Sequence, residues 1–408
     1  MKSVSFRGVL GRSKWSFGLA AVALQAAVLI GCGDASTDDG VGGAGGAGGG
    51  GGGTTTGTTS TSASSTTSVS STTSVSSTTS VSSTTSVSST TTGPGTTSSS
   101  TTSTGTGMVP TDGTPVERHG VLRVKDGNIV GEHGAPVQLK GMSLFWSQWS
   151  NYYNGNVVNS IADNWKATVV RAAMGIENEG GYLEDAGGQK AKAKAIADAA
   201  IGKGIYVILD WHDHNANNHL DQARSYFREV AQTYKNVPNV IFEVFNEPLN
   251  THNWQTVKSY AEAVIGEIRG QGANNLVIVG SPNWSQDADI AADNRINDPN
   301  VAYTLHFYAA THKNALREKA QRAMDKGLAL FVTEWGTCDA SGDGALDLGE
   351  SGTWLNFLDA HNISWANWSL GDKAEACSAL KPRANTMGNW TDNDLTESGK
   401  WVKAKIAE

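Results

Sequence analysis

Eight short apolar runs alternate with longer segments of helical periodicity across residues 116–408, and this alternation restricts the possible folds strongly. Apolar strands separated by helices are typical of a parallel sheet covered on both faces. Eight such units favour an α/β fold of the (β/α)₈ or TIM-barrel type over a doubly wound sheet. The predicted strands are residues 137–142, 168–174, 204–210, 239–245, 276–280, 301–307, 329–334 and 363–368. The predicted helices include residues 190–203, 220–234, 254–270, 313–326 and 351–361.

A short β-hairpin is predicted in front of the barrel. Residues 121–124 and 129–130 are apolar segments that flank the turn sequence Asp126-Gly127-Asn128. No glycine-rich phosphate loop follows the first predicted barrel strand, which argues against a nucleotide-binding α/β fold.

The N-terminal segment has the pattern of an export signal. Basic residues precede an apolar run at residues 17–30, which is short for a membrane-spanning helix. The sequence Leu29-Ile30-Gly31-Cys32 then fits a bacterial lipoprotein site, so residues 1–31 are predicted to be a signal peptide and Cys32 to be lipidated. The alternative is ordinary signal cleavage nearby, with an incidental cysteine. Gly33 rather than aspartate after the cysteine favours retention in the outer membrane.

Residues 32–115 are predicted to form a flexible Gly/Ser/Thr-rich linker. A six-residue repeat places Val69, Val75, Val81 and Val87 in register, and one apolar residue in six cannot line a packed face. The globular domain is therefore assigned to residues 116–408.

Charge and aromatic content narrow the class of partner. With 31 Lys and Arg against 39 Asp and Glu, the formal net charge is -8, which argues against nucleic acid as a partner. Of 13 tryptophans, 12 follow the signal segment. Some will be buried in the core, and others offer flat apolar surfaces on which the C–H faces of sugar rings can stack.

Chemically active side chains recur where the predicted strands end. Catalytic groups of a (β/α)₈ barrel lie at the C-terminal strand ends, because all eight ends meet at one face. Each such residue has a structural explanation when taken singly, but the whole set indicates a catalytic site. The set comprises Arg171, Asp210-Trp211-His212, Asn246-Glu247-Pro248, His306-Phe307-Tyr308, Glu334-Trp335-Gly336 and Trp368.

These segments carry a family resemblance. From about residue 116 to 408 the chain resembles glycoside hydrolase family 5, in particular its bacterial endoglucanases (cellulase family A). The resemblance rests on Ile208-Leu209-Asp210-Trp211-His212, Phe245-Asn246-Glu247-Pro248, His306-Phe307-Tyr308, Thr333-Glu334-Trp335-Gly336 and Ser364-Trp365-Ala366-Asn367-Trp368-Ser369. It implies a catalytic domain that hydrolyses internal β-1,4 bonds of cellulose-type glucans by a retaining double displacement. The lipoprotein signal predicts that this domain is extracellular, anchored at the outer membrane or cell surface.

The resemblance also implies roles for individual residues. Glu247 is expected to be the acid/base and Glu334 the nucleophile, two carboxyls that retention requires at roughly 5–5.5 Å. Arg171 and Tyr308 are expected to hydrogen-bond Glu334 and keep it ionised, and Asn246 to bind the sugar 2-hydroxyl. The other residues implied at the site are His306, His212, Trp149, Trp284, Trp368, Lys373 and Glu375.

Two positions depart from the pattern of many relatives. Phe145 occupies a position after the first strand where many relatives have histidine, and Gly175 replaces an aromatic residue after Arg171. Both positions border the non-reducing subsites. We therefore expect them to affect the preference for particular glucans but not the catalytic step.

The mechanism requires no cofactor and no metal. His212, Asp213, His214 and nearby His219 invite a metal interpretation, but their spacing is weaker than a helical His-Glu-x-x-His pattern. Residues 339–347 resemble a calcium loop only loosely and are interpreted as a solvated loop. Cys338 and Cys377 remain as an even pair once Cys32 is set aside, which predicts a disulfide in an oxidising compartment. A monomer is expected.

The sequence is also compatible with two alternative functions. The same barrel and carboxyl pair serve β-mannanases and hydrolases of xyloglucan or mixed-linkage glucan. The spacing of Trp368, Lys373 and Glu375 favours cellulose-type substrates. The second alternative is an inactive surface lipoprotein that only binds glycans, against which the complete carboxyl pair argues.

Overall fold

The computed structural model describes residues 109–408. The predicted signal peptide, the lipidation site Cys32 and most of the predicted linker lie outside the described residues. The predicted linker ends at residue 115, where the structure begins an unpredicted helix, α1 (Pro115–His119). Thr114 starts this helix, because its hydroxyl accepts a hydrogen bond from the Glu117 N–H while the Glu117 carboxylate accepts one from the Thr114 N–H.

The predicted hairpin and barrel are both present. Strands β1 and β2 pair antiparallel across a turn in which Asp126 and Gly127 both have positive φ, of 50° and 75°. The other eight strands pair in parallel and close in the order β10-β3-β4-β5-β6-β7-β8-β9. The strands are β1 (Arg123–Lys125), β2 (Asn128–Val130), β3 (Lys140–Leu144), β4 (Val169–Gly175), β5 (Tyr206–His212), β6 (Val240–Glu243), β7 (Val277–Val279), β8 (Val301–Tyr308), β9 (Leu330–Gly336) and β10 (Ser364–Leu370).

Helices follow the strands and cover the outside of the barrel. The predicted bounds of α4 and α5 match the observed ones, and the other predicted helices differ by one to four residues at an end. The helices after α1 are α2 (Gly155–Asn164), α3 (Ala186–Lys203), α4 (Leu220–Tyr234), α5 (Trp254–Gly270), α6 (Pro282–Ser285), α7 (Ala288–Asp293), α8 (Asn314–Asp325), α9 (Leu348–Ala360) and α10 (Glu397–Ala407). Within residues 109–408, no helix combines the length and apolar character needed to cross a membrane.

The barrel interior changes character along its axis. At the N-terminal end of the strands, Tyr206, Ile208, Ile241 and Phe331 form an apolar cluster with the hairpin residue Leu122. The Tyr206 hydroxyl also donates to the Gly120 carbonyl at 2.7 Å, so the hairpin segment closes this end of the barrel.

Further along the strands, the buried side chains become polar. Because side chains alternate between the two faces of a strand, the positions two residues beyond the apolar layer also point inward. These positions carry Arg171 on β4, Asp210 on β5, Glu243 on β6 and Thr333 on β9, all of them fully buried. The polar layer therefore begins inside the barrel and leads to its C-terminal face.

Candidate active site

Arg171 is the centre of the polar layer. Its guanidinium lies within hydrogen-bond distance of three carboxylates: 2.7 Å from Glu243, 2.9 Å from Asp210 and 2.9 Å from Glu334. It also donates to the Asn246 side-chain oxygen at 2.6 Å. A buried guanidinium is costly unless its donors are satisfied, and this arrangement satisfies them with partners from β5, from β6 and the segment after it, and from β9. Arg171 therefore holds the site residues at fixed positions relative to one another.

Glu243 and Asp210 belong to this network, although sequence reasoning gave neither of them a role. Burial raises the pKa of both carboxyls, with Arg171 opposing the change, and the pKa of Asp210 reaches about 7. The signal for Glu243 was present in the sequence. An acidic residue inside the apolar run 239–245 must face the barrel interior and needs a buried cationic partner there.

Glu334 has a defined partner for each carboxylate oxygen, as expected from the sequence. The Tyr308 hydroxyl donates to Oε1 at 2.8 Å, and Arg171 Nη1 donates to Oε2 at 2.9 Å. Burial and the neighbouring Glu334 charge hold the pKa of Tyr308 well above its ordinary value, so the phenol keeps its proton. These two donors fix the orientation of Glu334 at the end of β9.

Glu247 is held by two imidazoles, one on each oxygen. His306 Nδ1 lies 2.9 Å from Oε1, and His214 Nε2 lies 3.1 Å from Oε2. Burial alone would raise the pKa of this carboxyl, but the hydrogen bonds with the two histidines lower it below its ordinary value. Sequence reasoning expected His306 at the site and considered His214 only as a metal ligand. The distance between residues 214 and 247 along the chain concealed their contact.

The two predicted catalytic carboxyls are close together. One oxygen of Glu247, one of Glu334 and a ring nitrogen of His306 all lie within 4.8 Å of one another. Beside them, the Asn246 amide nitrogen is buried and finds no acceptor among the described residues. Since its oxygen is bound by Arg171, this amide is left with a free donor, as binding to a sugar hydroxyl would require.

An aromatic wall adjoins the carboxyl pair. The rings of His212 and Trp368 are nearly parallel, 5.3 Å apart and inclined by 5°, and the edge of Trp146 meets His212 at 4.1 Å. His212 Nδ1 lies 2.7 Å from Asp210. Burial, reinforced by Arg171, lowers the pKa of His212 to about 3, so its ring is neutral at neutral pH. Trp146 is a wall residue that sequence reasoning did not assign to the site.

The remaining predicted substrate-binding residues lie on loops at the C-terminal ends of strands. Trp149 is 53% exposed and lies 5.5 Å from Trp146, ring to ring. Lys373 pairs with Glu375 and lies over the Phe145 ring at 5.5 Å. One oxygen of the buried Glu375 carboxylate has no hydrogen-bond partner within the described residues.

Trp284 lies in the short helical segment α6 that follows β7, in unusual backbone geometry. Asn283, Trp284 and Ser285 have φ of 60°, 54° and 58°, the left-handed region that costs energy for residues other than glycine. The segment is tied to the loop that carries Glu247, because the Trp284 N–H donates to the Pro248 carbonyl at 2.8 Å and the Ser285 hydroxyl donates to the Asn246 carbonyl at 2.8 Å. The half-buried Trp284 is therefore held in a fixed position relative to Glu247.

The structure shows the surroundings of the two positions that depart from the family pattern and of the cysteine pair. Phe145 lies 5.5 Å from Trp368, ring to ring, and a side chain on Gly175 would collide with Gln148, which occupies that space. Cys338 and Cys377 form the predicted disulfide, with their Cα atoms 5.5 Å apart. The bridge joins the loop after β9 to the loop that carries Glu375.

Among residues 109–408, two sets of side chains have donor atoms close enough together to bind one cation. One set is Glu247, His306 and Glu334, in which each carboxylate is already bound by protein donors. The other is Glu177, Asp213 and His219, in which Asp213 accepts hydrogen bonds from the Asn215 N–H and from His219. Internal hydrogen bonds account for both sets, and we assign a metal to neither.

Comparison with known proteins identifies the family. The family model for cellulase (glycosyl hydrolase family 5) matches residues 130–374. The chain belongs to glycosyl hydrolase family 5. The matched residues contain all eight barrel strands and both carboxyls of the pair, so the family 5 assignment and the observed closed barrel agree.

Individual members of family 5 are similar to this chain over the same region. An endoglucanase of Clostridium saccharobutylicum is 48% identical over 292 residues, and the match spans 70% of this chain and 65% of that relative. A structure from Cytophaga hutchinsonii is 51% identical with a TM-score of 0.71, covering 72% of this chain and 96% of that one. A structure of the catalytic domain of Thermobifida fusca endoglucanase Cel5A, in a variant form bound to cellotetraose, is 33% identical with a TM-score of 0.69. The match covers 72% of this chain and 100% of that one.

Proposed function

We propose that this chain is a retaining endo-β-1,4-glucanase that hydrolyses cellulose-type glucans. The observation that carries the proposal is the carboxyl pair, with one oxygen of Glu247 and one of Glu334 within 4.8 Å. Retaining glycosidases place their two carboxyls about 5–5.5 Å apart, whereas inverting ones need about 6.5–9.5 Å to admit a water molecule. The similarity to endoglucanases, one of them bound to cellotetraose, supports the choice of substrate.

The hydrogen-bond partners of the two carboxyls indicate which one is the nucleophile and which one is the acid/base. Arg171 and Tyr308 donate to the two oxygens of Glu334 and fix its orientation, which suits a nucleophile. Glu247 has imidazole partners that can exchange protons, which suits a group that must first give and then take a proton. Glu334 attacks the anomeric carbon while Glu247 protonates the departing oxygen. Glu247 then takes a proton from the water that releases the sugar.

The other site residues bind the sugar chain. The free donor of Asn246 is suited to the 2-hydroxyl of the reacting sugar, a bond that strengthens as positive charge develops at the anomeric carbon. Trp368 and His212 offer a flat aromatic surface beside it, and Trp149 and Trp284 offer further stacking surfaces. All of these groups come from one chain, and we propose that the enzyme acts as a monomer.

A substrate panel tests the proposal. We expect reducing sugar to be released from carboxymethylcellulose much faster than from galactomannan or xyloglucan. NMR of the first products should show that the anomeric carbon keeps the β-configuration. Faster release from galactomannan would replace the proposal by a β-mannanase. Binding without hydrolysis of any of these glycans would make the chain a glycan-binding protein instead.

Trp284→Ala should impair hydrolysis of long substrates more than of short ones. We place Trp284 on the leaving-group side because its backbone is bonded to the segment after Glu247. Stacking and apolar burial there contribute about 1–3 kcal/mol. Therefore kcat/KM should fall on polymeric glucan. It should stay close to the wild-type value on aryl cellobiosides, because their leaving group is a phenol and not a sugar that could stack on Trp284.

Thermal stability separates this role of Trp284 from a structural one. Equal losses on both substrates, together with a large drop in melting temperature, would show that the indole only supports the fold. Ile290→Ala is a suitable control, because Ile290 is an exposed apolar side chain on the neighbouring helix α7.

We also propose that the enzyme is an exported lipoprotein held at the outer membrane or cell surface through Cys32. The support is the signal pattern that ends in Leu29-Ile30-Gly31-Cys32. Cys32→Ala should move the protein from membrane to soluble fractions without loss of activity, because acyl chains would make the attachment. Fractionation of both forms with an activity assay measures this. Unchanged membrane association of the variant would contradict the anchor.

A further inference from the structure

Both oxygens of Glu247 are occupied by imidazoles in the free enzyme, and the two imidazoles are not equivalent. His306 is only 2% exposed and belongs to strand β8, whereas His214 is 21% exposed and belongs to the loop after β5. An acid catalyst must hold a proton before the sugar chain arrives. The role of each histidine therefore depends on whether it can exchange a proton with Glu247.

The proton positions of His306 follow from its second contact. Its Nε2 lies 2.9 Å from the Thr333 hydroxyl, which donates its single hydrogen to Glu243 at 2.7 Å. Arg171 donates to both oxygens of Glu243, as expected for an ionised carboxylate. Thr333 must then accept from His306 Nε2, so one proton of His306 is committed to the network beneath the site.

The contacts that position His214 do not tie a ring proton to a buried acceptor in this way. The Glu247 N–H donates to the Asp213 carbonyl at 3.4 Å, and the Asp213 carboxylate accepts from the Asn215 N–H at 2.8 Å. The Trp146 ring meets the His214 ring edge-on at 5.7 Å. These contacts hold the imidazole against Glu247 Oε2 while leaving part of it open to solvent, from which protons can be exchanged.

We propose that His214 is a positioning residue that shares and replenishes the catalytic proton of Glu247. The inference rests on the proposed function, since it takes Glu247 as the acid/base. Burial opposes a charge on His214, but the hydrogen bond with Glu247 holds the pKa of His214 above its ordinary value. With His214 Nε2 3.1 Å from Glu247 Oε2, one proton can be shared between these two atoms.

The chemical steps balance with this single proton. In the first step the proton passes from Glu247 to the glycosidic oxygen as the bond from that oxygen to the anomeric carbon breaks. The bonding electrons remain on the oxygen, and Glu334 forms the new bond to carbon. In the second step water adds its oxygen to the anomeric carbon and gives a proton to Glu247. The bond to Glu334 breaks with its electrons returning to the carboxylate, and the pair is refilled.

Several other ionisable groups face the pair and set its background charge. They come from strands β4, β5, β6, β8 and β9 and their loops, and none of them offers a second exchangeable contact to Glu247 Oε2 within the described residues. They are Arg171, Asp210, His212, Asp213, Glu243, His306, Tyr308, His312 and Glu334.

The pH profile of kcat/KM on cellopentaose tests the inference in His214→Gln. A second basic site keeps a shared proton bound to higher pH than Glu247 could alone, so its removal should shift the alkaline limb down by about one pH unit. On a dinitrophenyl cellobioside, whose leaving group needs no acid, kcat/KM should stay within about twofold of wild type. His219→Gln is the matched control, because His219 ends the same loop and contacts Asp213 instead of Glu247.

An alkaline limb that stays in place or moves up would overturn the inference, as would equal losses on the two substrates. Should His214→Gln fail to fold, NMR titration of the His214 ring in wild type and in Glu247→Gln gives the same test. The ring should titrate at lower pH in the variant, and an unchanged titration would overturn the inference. A wild-type enzyme inactive on every β-1,4-glucan would instead refute the proposed function itself.

Discussion

Glu334→Gln should abolish turnover, with a loss on the order of 10⁴-fold or more in kcat on every substrate. Glutamine is nearly isosteric and still accepts from Tyr308 or Arg171, but its amide cannot form the glycosyl ester. Folding should survive because Arg171 keeps Glu243 and Asp210 as ionic partners. Steady-state rates on carboxymethylcellulose and on an aryl cellobioside measure the effect, and circular dichroism confirms the fold.

Glu318→Gln is a suitable control for this variant. Glu318 lies on helix α8, where its carboxylate accepts from Asn314, and its replacement should leave the rates unchanged. Near-normal activity of a folded Glu334→Gln variant would remove Glu334 as the nucleophile and would leave the retaining mechanism without support.

Glu247→Ala should slow both chemical steps on natural substrates, by about 10²–10⁴-fold in kcat. With a dinitrophenyl cellobioside the first step needs little acid assistance, so a burst of dinitrophenol followed by slow turnover is expected. The space left by the carboxylate is flanked by His214 and His306, two potential donors to a small anion. Added azide should therefore restore the rate and yield a β-glycosyl azide.

The stereochemistry of the azide product decides the mechanism. A β-azide requires two inversions, and hence a covalent intermediate on the opposite face of the sugar ring. An α-azide would mean that azide attacks the substrate directly, that the enzyme inverts and that the two roles are wrongly assigned. Azide should neither accelerate the wild-type enzyme nor appear in its products, since the carboxylate of Glu247 excludes it.

Much of this site could be predicted because a parallel barrel brings its strand ends together. Arg171 and Glu334 are 163 residues apart in sequence, yet both lie on strands that lead to the one face where all eight C-terminal ends meet. The family resemblance then supplied the roles of the carboxyls and of Tyr308, and the observed contacts of Glu334 agree with those expectations.

Side-chain partners were harder to predict than strand ends. His214 was considered only as a metal ligand, because its neighbours in sequence are histidine and aspartate, and its contact with Glu247 depends on how the loop after β5 folds back. Gln148 beside Gly175 is a similar case, since a loop residue occupies the space that the missing side chain leaves. Periodicity carries no information about either loop.

The amino-acid sequence alone determines the closed barrel, its hairpin and the face on which the chemistry occurs, because strand and helix periodicity are local properties of the chain. Only the tertiary structure decides which atoms meet: the three carboxylates on Arg171, the two imidazoles on Glu247 and the left-handed turn that holds Trp284. Those contacts depend on loop conformation and on burial, both of which arise from the packing of residues far apart in the chain.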